Sequence, residues 1–446
     1  MCITDSFIYG ILKVISRDIP LKVIEKTQQC FLDYLGCAVG GAKELQNTPM
    51  KFPFAEMSGV GRNHVLGRNE CYSMEIAAFL NGFCAHYLEL DDGHRLGAVH
   101  IGAPVFSALL AAAEVETINS EDFLKGAIAG YEASARLACA IQPGCRQRGY
   151  HATGVCGTVG AAVAVAIALR FTFLQMKTTI AAAVAGAAGV LEMQENASEL
   201  KPYNAGRAAM DAIVAAYMGK AGFHGPDDPI GGRRGFLKVM TDTPHFEYLV
   251  DFENEDYEIE RSYMKLYAAC RHAHPAIEAA LILRDKVNIE KVTSIKIHTY
   301  KQATEGHIHK DILSIGSAKM SIPFGVATAL ITGNAGINAF TERTIRDKAI
   351  INLMQLIMVV PDDELTCLNP QKRVAIVEVI QNDQKIIQRV DYPKGEPENP
   401  LEQMEVEEKF RLLTSHAGIK REKCKLIINE MSGGNFSVGR IITALC

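Results

Sequence analysis

From Phe7 to about residue 240, apolar side chains recur at helical spacing in Ala-rich segments separated by Gly, Pro and Asn. The spacing predicts helices over 24–39, 74–87, 104–116, 121–141, 158–170, 178–193 and 205–221. Small side chains let such helices approach closely, so a compact bundle is the expected packing. The pattern changes after about residue 262. Residues 292–300 alternate with period two and are rich in β-branched side chains, which predicts a half-buried strand. Residues 373–379 and 385–390 predict a strand pair joined by the turn-forming Gln381-Asn382-Asp383-Gln384. Between them, 322–331 and 347–359 read as helices. The stretch 392–400 is a loop by its Pro, Gly and Asn content, and helical periodicity returns after it. The expected fold is mostly α: a large all-helical domain from residues 1–262 and 398–446, with 263–397 inserted as a smaller α+β lid domain.

A chain of 446 residues exceeds one ordinary core, and 48% hydrophobic with 22% charged residues is globular composition. A net charge of -5 and no run of five basic residues exclude a field that would attract nucleic acid. The Ala-rich stretches 155–169 and 180–191 fall short of the roughly 20 residues a bilayer needs, so they read as buried helices rather than membrane spans. Asp5, Lys13, Arg17 and Asp18 interrupt the first apolar stretch, unlike a signal peptide, and a cytoplasmic location is expected. Twelve scattered cysteines include no C-x-x-C pair, so neither a zinc nor an iron–sulfur site is expected.

Four segments concentrate groups capable of chemistry. Between His86 and His100 stand Glu89, Asp91, Asp92 and His94, after one apolar helix and before another. Partial burial there would tune proton affinities for acid/base work. A solvated loop with helix caps is the bland alternative, and metal ligation a third without H-x-x-x-H or H-E-x-x-H spacing. The second segment, Arg146 to Gly154, places Arg148, Tyr150, His151 and Thr153 before a Gly/Ala-rich helix, where free N–H groups and arginines would receive an anion. Its bland reading is a Thr153 cap and a core His151. Lys201, before the helix over 205–221, offers a compact charge for a carboxylate, although such a lysine is usually solvated. The last segment carries Lys265, Tyr267, Cys270, Arg271, His272 and His274 at the expected domain junction, where clefts favour ligands. His272 and His274 are two apart, so on a helix they diverge.

Taken in order, these segments resemble the MmgE/PrpD family. The resembling pieces are Asn81-Gly82 with His86 and Asp91-Asp92, His100 to Pro104, Gly149 to Gly154, Lys201 with Gly206-Arg207, Lys265 to Pro275, and Ala318 to Phe324, with Asn399-Pro400-Leu401 and Lys409-Phe410 near the end. The resemblance implies a helical domain formed by both chain ends, an inserted lid, a homodimer, and activity without metal or organic cofactor. It implies a family whose members include 2-methylcitrate dehydratase, cis-aconitate decarboxylase and iminodisuccinate epimerase. At matching positions it implies an active site lined by His100, His151, Lys201 and residues 270–274. Glu89 and Gly93 depart from the Asp and Thr that the dehydratase and decarboxylase share, which leaves the exact substrate open.

The resulting expectation is a cofactor-free lyase handling a proton next to a carboxylate of a small di- or tricarboxylate. His100, His151, Lys201, Glu89 and His274 are the candidate catalytic residues. Asp91, Arg148, Tyr150, Thr153, Cys270, Arg271 and His272 are the candidate substrate-binding residues. An epimerase of an iminodisuccinate-like dicarboxylate and a helical binding protein with a decayed site are the alternatives.

Overall fold

A computed structural model of the chain describes residues 2–47, 58–59, 61–194, 198–254, 256–432 and 435–446. The helix Ala152–Ala168 is buried at every position, as its all-round Ala, Val and Gly composition requires. Around it pack Ser120–Ile141, Tyr203–Lys220, Gly102–Ala113 and Phe173–Gly186. Glycines set the closest approaches. A Cβ at Gly206 would stand 2.5 Å from the Phe79 carbonyl oxygen, and one at Gly82 would stand 3.0 Å from that of Ala205, so Met74–Tyr87 and Tyr203–Lys220 meet backbone to backbone. That contact brings Glu89 beside Lys201. Among the described residues, no helix is long and apolar enough to cross a membrane.

The helices after Pro400 pack onto the N-terminal half. Gln403–His416 lies on Leu21–Asn47, and Val438–Leu445 touches Gly102–Ala113. Phe410 belongs to the apolar cluster that contains Phe7, Phe31 and Phe106. A second cluster gathers Ile277, Ile295, Phe324, Val377 and other side chains from between residues 267 and 390, joined by Cys37, Leu88, Leu90 and Leu413.

The second cluster is built on a four-stranded sheet in the order Ile357–Pro361, Val292–Thr299, Ala375–Gln381, Gln384–Val390. The first pair is parallel and the other two are antiparallel. Asn382 and Asp383 turn the hairpin with φ of 47° and 62°, the left-handed pair that a two-residue type I′ turn demands.

Two predicted helices end early. The expected 347–359 helix is Lys348–Gln355 followed by the strand Ile357–Pro361. Ile350, Leu353 and Met354 keep the helical period. The β-branched residues that follow find a parallel partner in Val292–Thr299, and tertiary pairing overrides the continued apolar run. The expected 178–193 helix is Phe173–Gly186, opened by a Thr172/Gln175 capping box. Beyond it the chain passes so close to Ala152–Ala168 that a Cβ on Gly154 would meet the Ala188 carbonyl at 2.3 Å, and Gly189 takes a φ of 138°. A continued helix does not fit there.

Candidate active site

Glu89 sits just beyond the helix Met74–Tyr87 with a φ of 55°, an uncommon conformation for a non-glycine residue. The turn sends two carboxylates into the protein. Glu89 accepts from Lys201 and, at 3.0 Å, from Lys265. Asp91 accepts from His86 Nδ1 at 2.7 Å and stands 3.7 Å from Lys265 Nζ. Burial opposes both charges, but the lysines and histidines around them hold both carboxyls well below the usual range. Beneath them, Lys409 Nζ donates to the carbonyls of Leu90 at 2.6 Å and Lys265 at 2.7 Å, and pairs with Asp33. The C-terminal helix Gln403–His416 thus fixes the floor of the site.

Two histidines carry the reactive edge. His100 donates Nδ1–H to the Asp92 carbonyl at 2.8 Å, and its backbone N–H donates to Thr153 Oγ1 at 3.1 Å. The Nδ1 bond leaves Nε2 as a lone pair. His151 caps Ala152–Ala168, and its Nδ1 accepts from Asn204 Nδ2 at 3.0 Å, so Nε2 carries the hydrogen. One ring offers a lone pair that can take a proton and the other offers a hydrogen-bond donor. Burial pulls His100 down to about 4, and burial with Lys201 holds His151 well below the ordinary histidine value, so both are neutral at pH 7.

Asp92 holds the entrance of Gly102–Ala113 in place. Its carboxyl accepts from Gly102 N at 2.9 Å and Tyr131 Oη at 2.5 Å, and burial raises it to about 7 despite both bonds. A folded-state value above the unfolded one, about 3.9, contributes stability that is full below that value and lost as pH rises through about 7. Asp92→Asn is therefore expected to flatten the fall in Tm between about pH 4 and 7 relative to the parent, as calorimetry would show. An unchanged slope would contradict the assignment.

The cavity these groups face is about 70 Å³, lined on the helical side by His100, Arg146, Tyr150, His151 and Lys201. Tyr263, Cys270, Arg271, His272, His307 and Arg373 line the other wall. It meets a second cavity of about 420 Å³ at Lys201 and Gln194. Arg373 is buried, and its Nε has no hydrogen-bond partner among the described residues. An arginine left open on a cavity wall suits an anion. Cys270, His272 and His307 have ligand atoms within 4.8 Å of one another, as do His86, Asp91 and His100. A dication at the first set would lie among Arg373, Arg146 and Lys201, the cations that help keep His272 neutral after burial. At the second, Asp91 already accepts from His86 Nδ1 at 2.7 Å and stands 3.7 Å from Lys265 Nζ.

Of the residues expected from sequence, His100, His151, Lys201, Tyr150, Cys270, Arg271 and His272 line the cavity. Glu89 and Asp91 lie behind it, occupied by lysines and histidines, and Thr153 positions His100. Two are not brought in. Arg148 turns away to the Val239 carbonyl and, at 2.8 Å, to Asp242, because Gly149 reverses the chain with a φ of 79°. His274 is sealed between Arg271 NH1 at 2.8 Å and the Ala269 carbonyl at 3.1 Å, where it orients Arg271. Sequence reasoning missed Lys265 and His86 as site residues although both stood in its motifs. It also missed Asn204, Arg373 and His307, which no local spacing marks.

Residues 11–249 match the MmgE/PrpD N-terminal domain and residues 267–433 match the MmgE/PrpD C-terminal domain. The chain is 24% identical to a cis-aconitate decarboxylase-like protein, oryM, of Aspergillus oryzae, across 93% of this chain and 90% of that protein. It is 23% identical to the cis-aconitate decarboxylase of Homo sapiens, across 92% and 87% of the two chains. A probable 2-methylcitrate dehydratase of Saccharomyces cerevisiae is 24% identical across 97% of this chain and 90% of that one.

Proposed function

This chain belongs to the MmgE/PrpD family, and from that premise we propose that it is a cofactor-free lyase acting on a small di- or tricarboxylate. The carrying observation is the pair of neutral histidines with opposite ring roles, set in a cavity walled by lysine and arginine. Lyase chemistry of the dehydratase or decarboxylase kind passes through negative charge on the carbon beside a carboxylate. Lys201, Arg271 and Arg373 stabilise that charge as it spreads onto carboxylate oxygen. His100 Nε2 accepts a proton from carbon or from a bound group, and neutral His151 donates its Nε2–H as a hydrogen bond to the oxygen on which negative charge develops. Glu89 acts as the counter-ion that holds Lys201 and Lys265, and Asp91 orients His86 and His100. The cis-aconitate decarboxylase and 2-methylcitrate dehydratase names among its relatives support a tricarboxylate.

In this reading residues 263–397 serve as the lid over a site carried by 1–262 and 398–446, since the two cavity walls come from those two units. The enzyme is a cytoplasmic homodimer. Exposed Tyr203, Val214 and Met218 on the helix Tyr203–Lys220 support a self-association face, and twelve unpaired cysteines suit a reducing compartment.

A thermal-shift and turnover screen with cis-aconitate, 2-methylcitrate, citrate and iminodisuccinate tests the reading. A ligand at 100 times its Kd adds about 2.7 kcal/mol of stability. At least one tricarboxylate is expected to raise Tm and be consumed. Turnover of iminodisuccinate alone would favour an epimerase, and a flat response to all four would refute the lyase.

A further inference from the structure

Cys270 contributes a group to this cavity that the acid/base scheme above does not use. Its Sγ stands 3.7 Å from His307 Nε2. His307 donates Nδ1–H to the Met320 carbonyl at 3.0 Å, which aims Nε2 at the sulfur. His272 stacks on His307 with ring centroids 5.2 Å apart, itself held through Nδ1 by Tyr300 Oη at 2.5 Å. The Cys270 backbone is fixed as well, its N–H donating to the Lys319 carbonyl at 2.9 Å. The charged and titratable groups facing the sulfur are His307, His272, Lys201, Lys265 and Arg373, with Tyr300 and Glu89. Cations dominate that set.

The contrast with the other thiols is large. Burial pushes Cys30, Cys84 and Cys145 up to about 12. Burial opposes a charge on Cys270 too, yet His307 and then Lys201 pull it down to about 6, while Cys270 draws His307 up against its own burial. The geometry is that of a thiolate–imidazolium pair on a substrate-facing wall.

We propose that Cys270, paired with His307, is a second proton-transfer residue, acting on the substrate carbon next to a carboxylate from the wall that residues 263–397 contribute. This rests on the lyase reading for its substrate class. The thiolate sulfur takes the proton, forming S–H as C–H breaks. The C–H electron pair becomes the enolate, whose oxygen charge is met by Arg271 and Arg373. His307 stays protonated throughout, and the thiol returns its proton to carbon in the reverse step. His100 and His151 serve the other wall, so the site holds proton-transfer groups on both.

Iodoacetamide alkylation of Cys270, followed against pH by peptide mass as well as by loss of turnover, with Cys270→Ser and His307→Gln beside the parent, tests the pair. The parent is expected to be inactivated with a midpoint near 6 and to be protected by the tricarboxylate that the screen identifies. His307→Gln should move that midpoint up toward the ordinary thiol value, about 8.5. Cys270→Ser should lose roughly 10²- to 10⁴-fold in kcat with Tm nearly unchanged. An unshifted midpoint in His307→Gln would overturn the pairing. Parental kcat in Cys270→Ser would overturn the proton transfer while the lyase reading stood. Alkylation that begins only after chelator treatment would overturn both and assign a metal to Cys270, His272 and His307. Should no tricarboxylate bind the parent, the lyase reading fails, and with it the proton-transfer role, while the pH midpoint still decides the pairing.

Discussion

His100→Ala and His151→Ala are each expected to lower kcat by roughly 10²- to 10⁴-fold, about 3–5 kcal/mol of barrier, while the fold survives. The argument is the tautomer pattern. His100 has its Nδ1 hydrogen spent on the Asp92 carbonyl, and His151 has its Nδ1 lone pair spent on Asn204, so each presents only Nε2 to the cavity and in opposite roles. Removing His151 also leaves Asn204 without that partner, at a cost of about 1–3 kcal/mol. A purely structural histidine would show that stability loss with the rate of the folded enzyme intact. Single-substrate kinetics with calorimetry on both variants separates the cases, and parental turnover in both would remove the acid/base assignment.

Lys265→Met is expected to produce the largest stability loss. Lys265 is completely buried between Glu89 at 3.0 Å and Asp91 at 3.7 Å. Its removal leaves two buried carboxylates short of compensation, on the order of 3–5 kcal/mol at neutral pH. The sign with pH follows from linkage. Glu89 and Asp91 have folded values held below their unfolded ones, so the stability they contribute is present above about 4 and lost as pH falls through the folded values. Without Lys265 the carboxyls protonate more readily, and the deficit should shrink toward acid pH. Denaturant unfolding across pH measures this. A deficit that stayed constant with pH would point to lost packing instead. Lys201→Met makes the useful contrast, because Lys201 lines the cavity and its loss should fall more on rate than on stability.

The helical half was legible because Ala-rich amphipathic and all-apolar segments have few packing solutions, and Met74–Tyr87 falls where its spacing placed it. The strand Ile357–Pro361 was not, since an apolar run after a helix has no local signal that ends the helix. Within the site, the density of His, Asp and Glu between residues 86 and 100 marked the region, and the helix starts marked His100 and His151. What sequence could not supply was direction. Arg148 and Arg146 are two apart, yet Gly149 sends the first outward while the second lines the cavity. His307 is 37 positions from Cys270, and only the tertiary fold brings them together.

The central claim is proton transfer at carbon beside a carboxylate, and proton NMR in heavy water tests it most directly. Purified enzyme given the tricarboxylate that stabilises it is expected to yield product, or recovered substrate, bearing deuterium at that carbon, with incorporation falling roughly 10²- to 10⁴-fold in His100→Ala. Turnover or binding that leaves that carbon without deuterium, or incorporation unchanged by the substitution, would contradict the account.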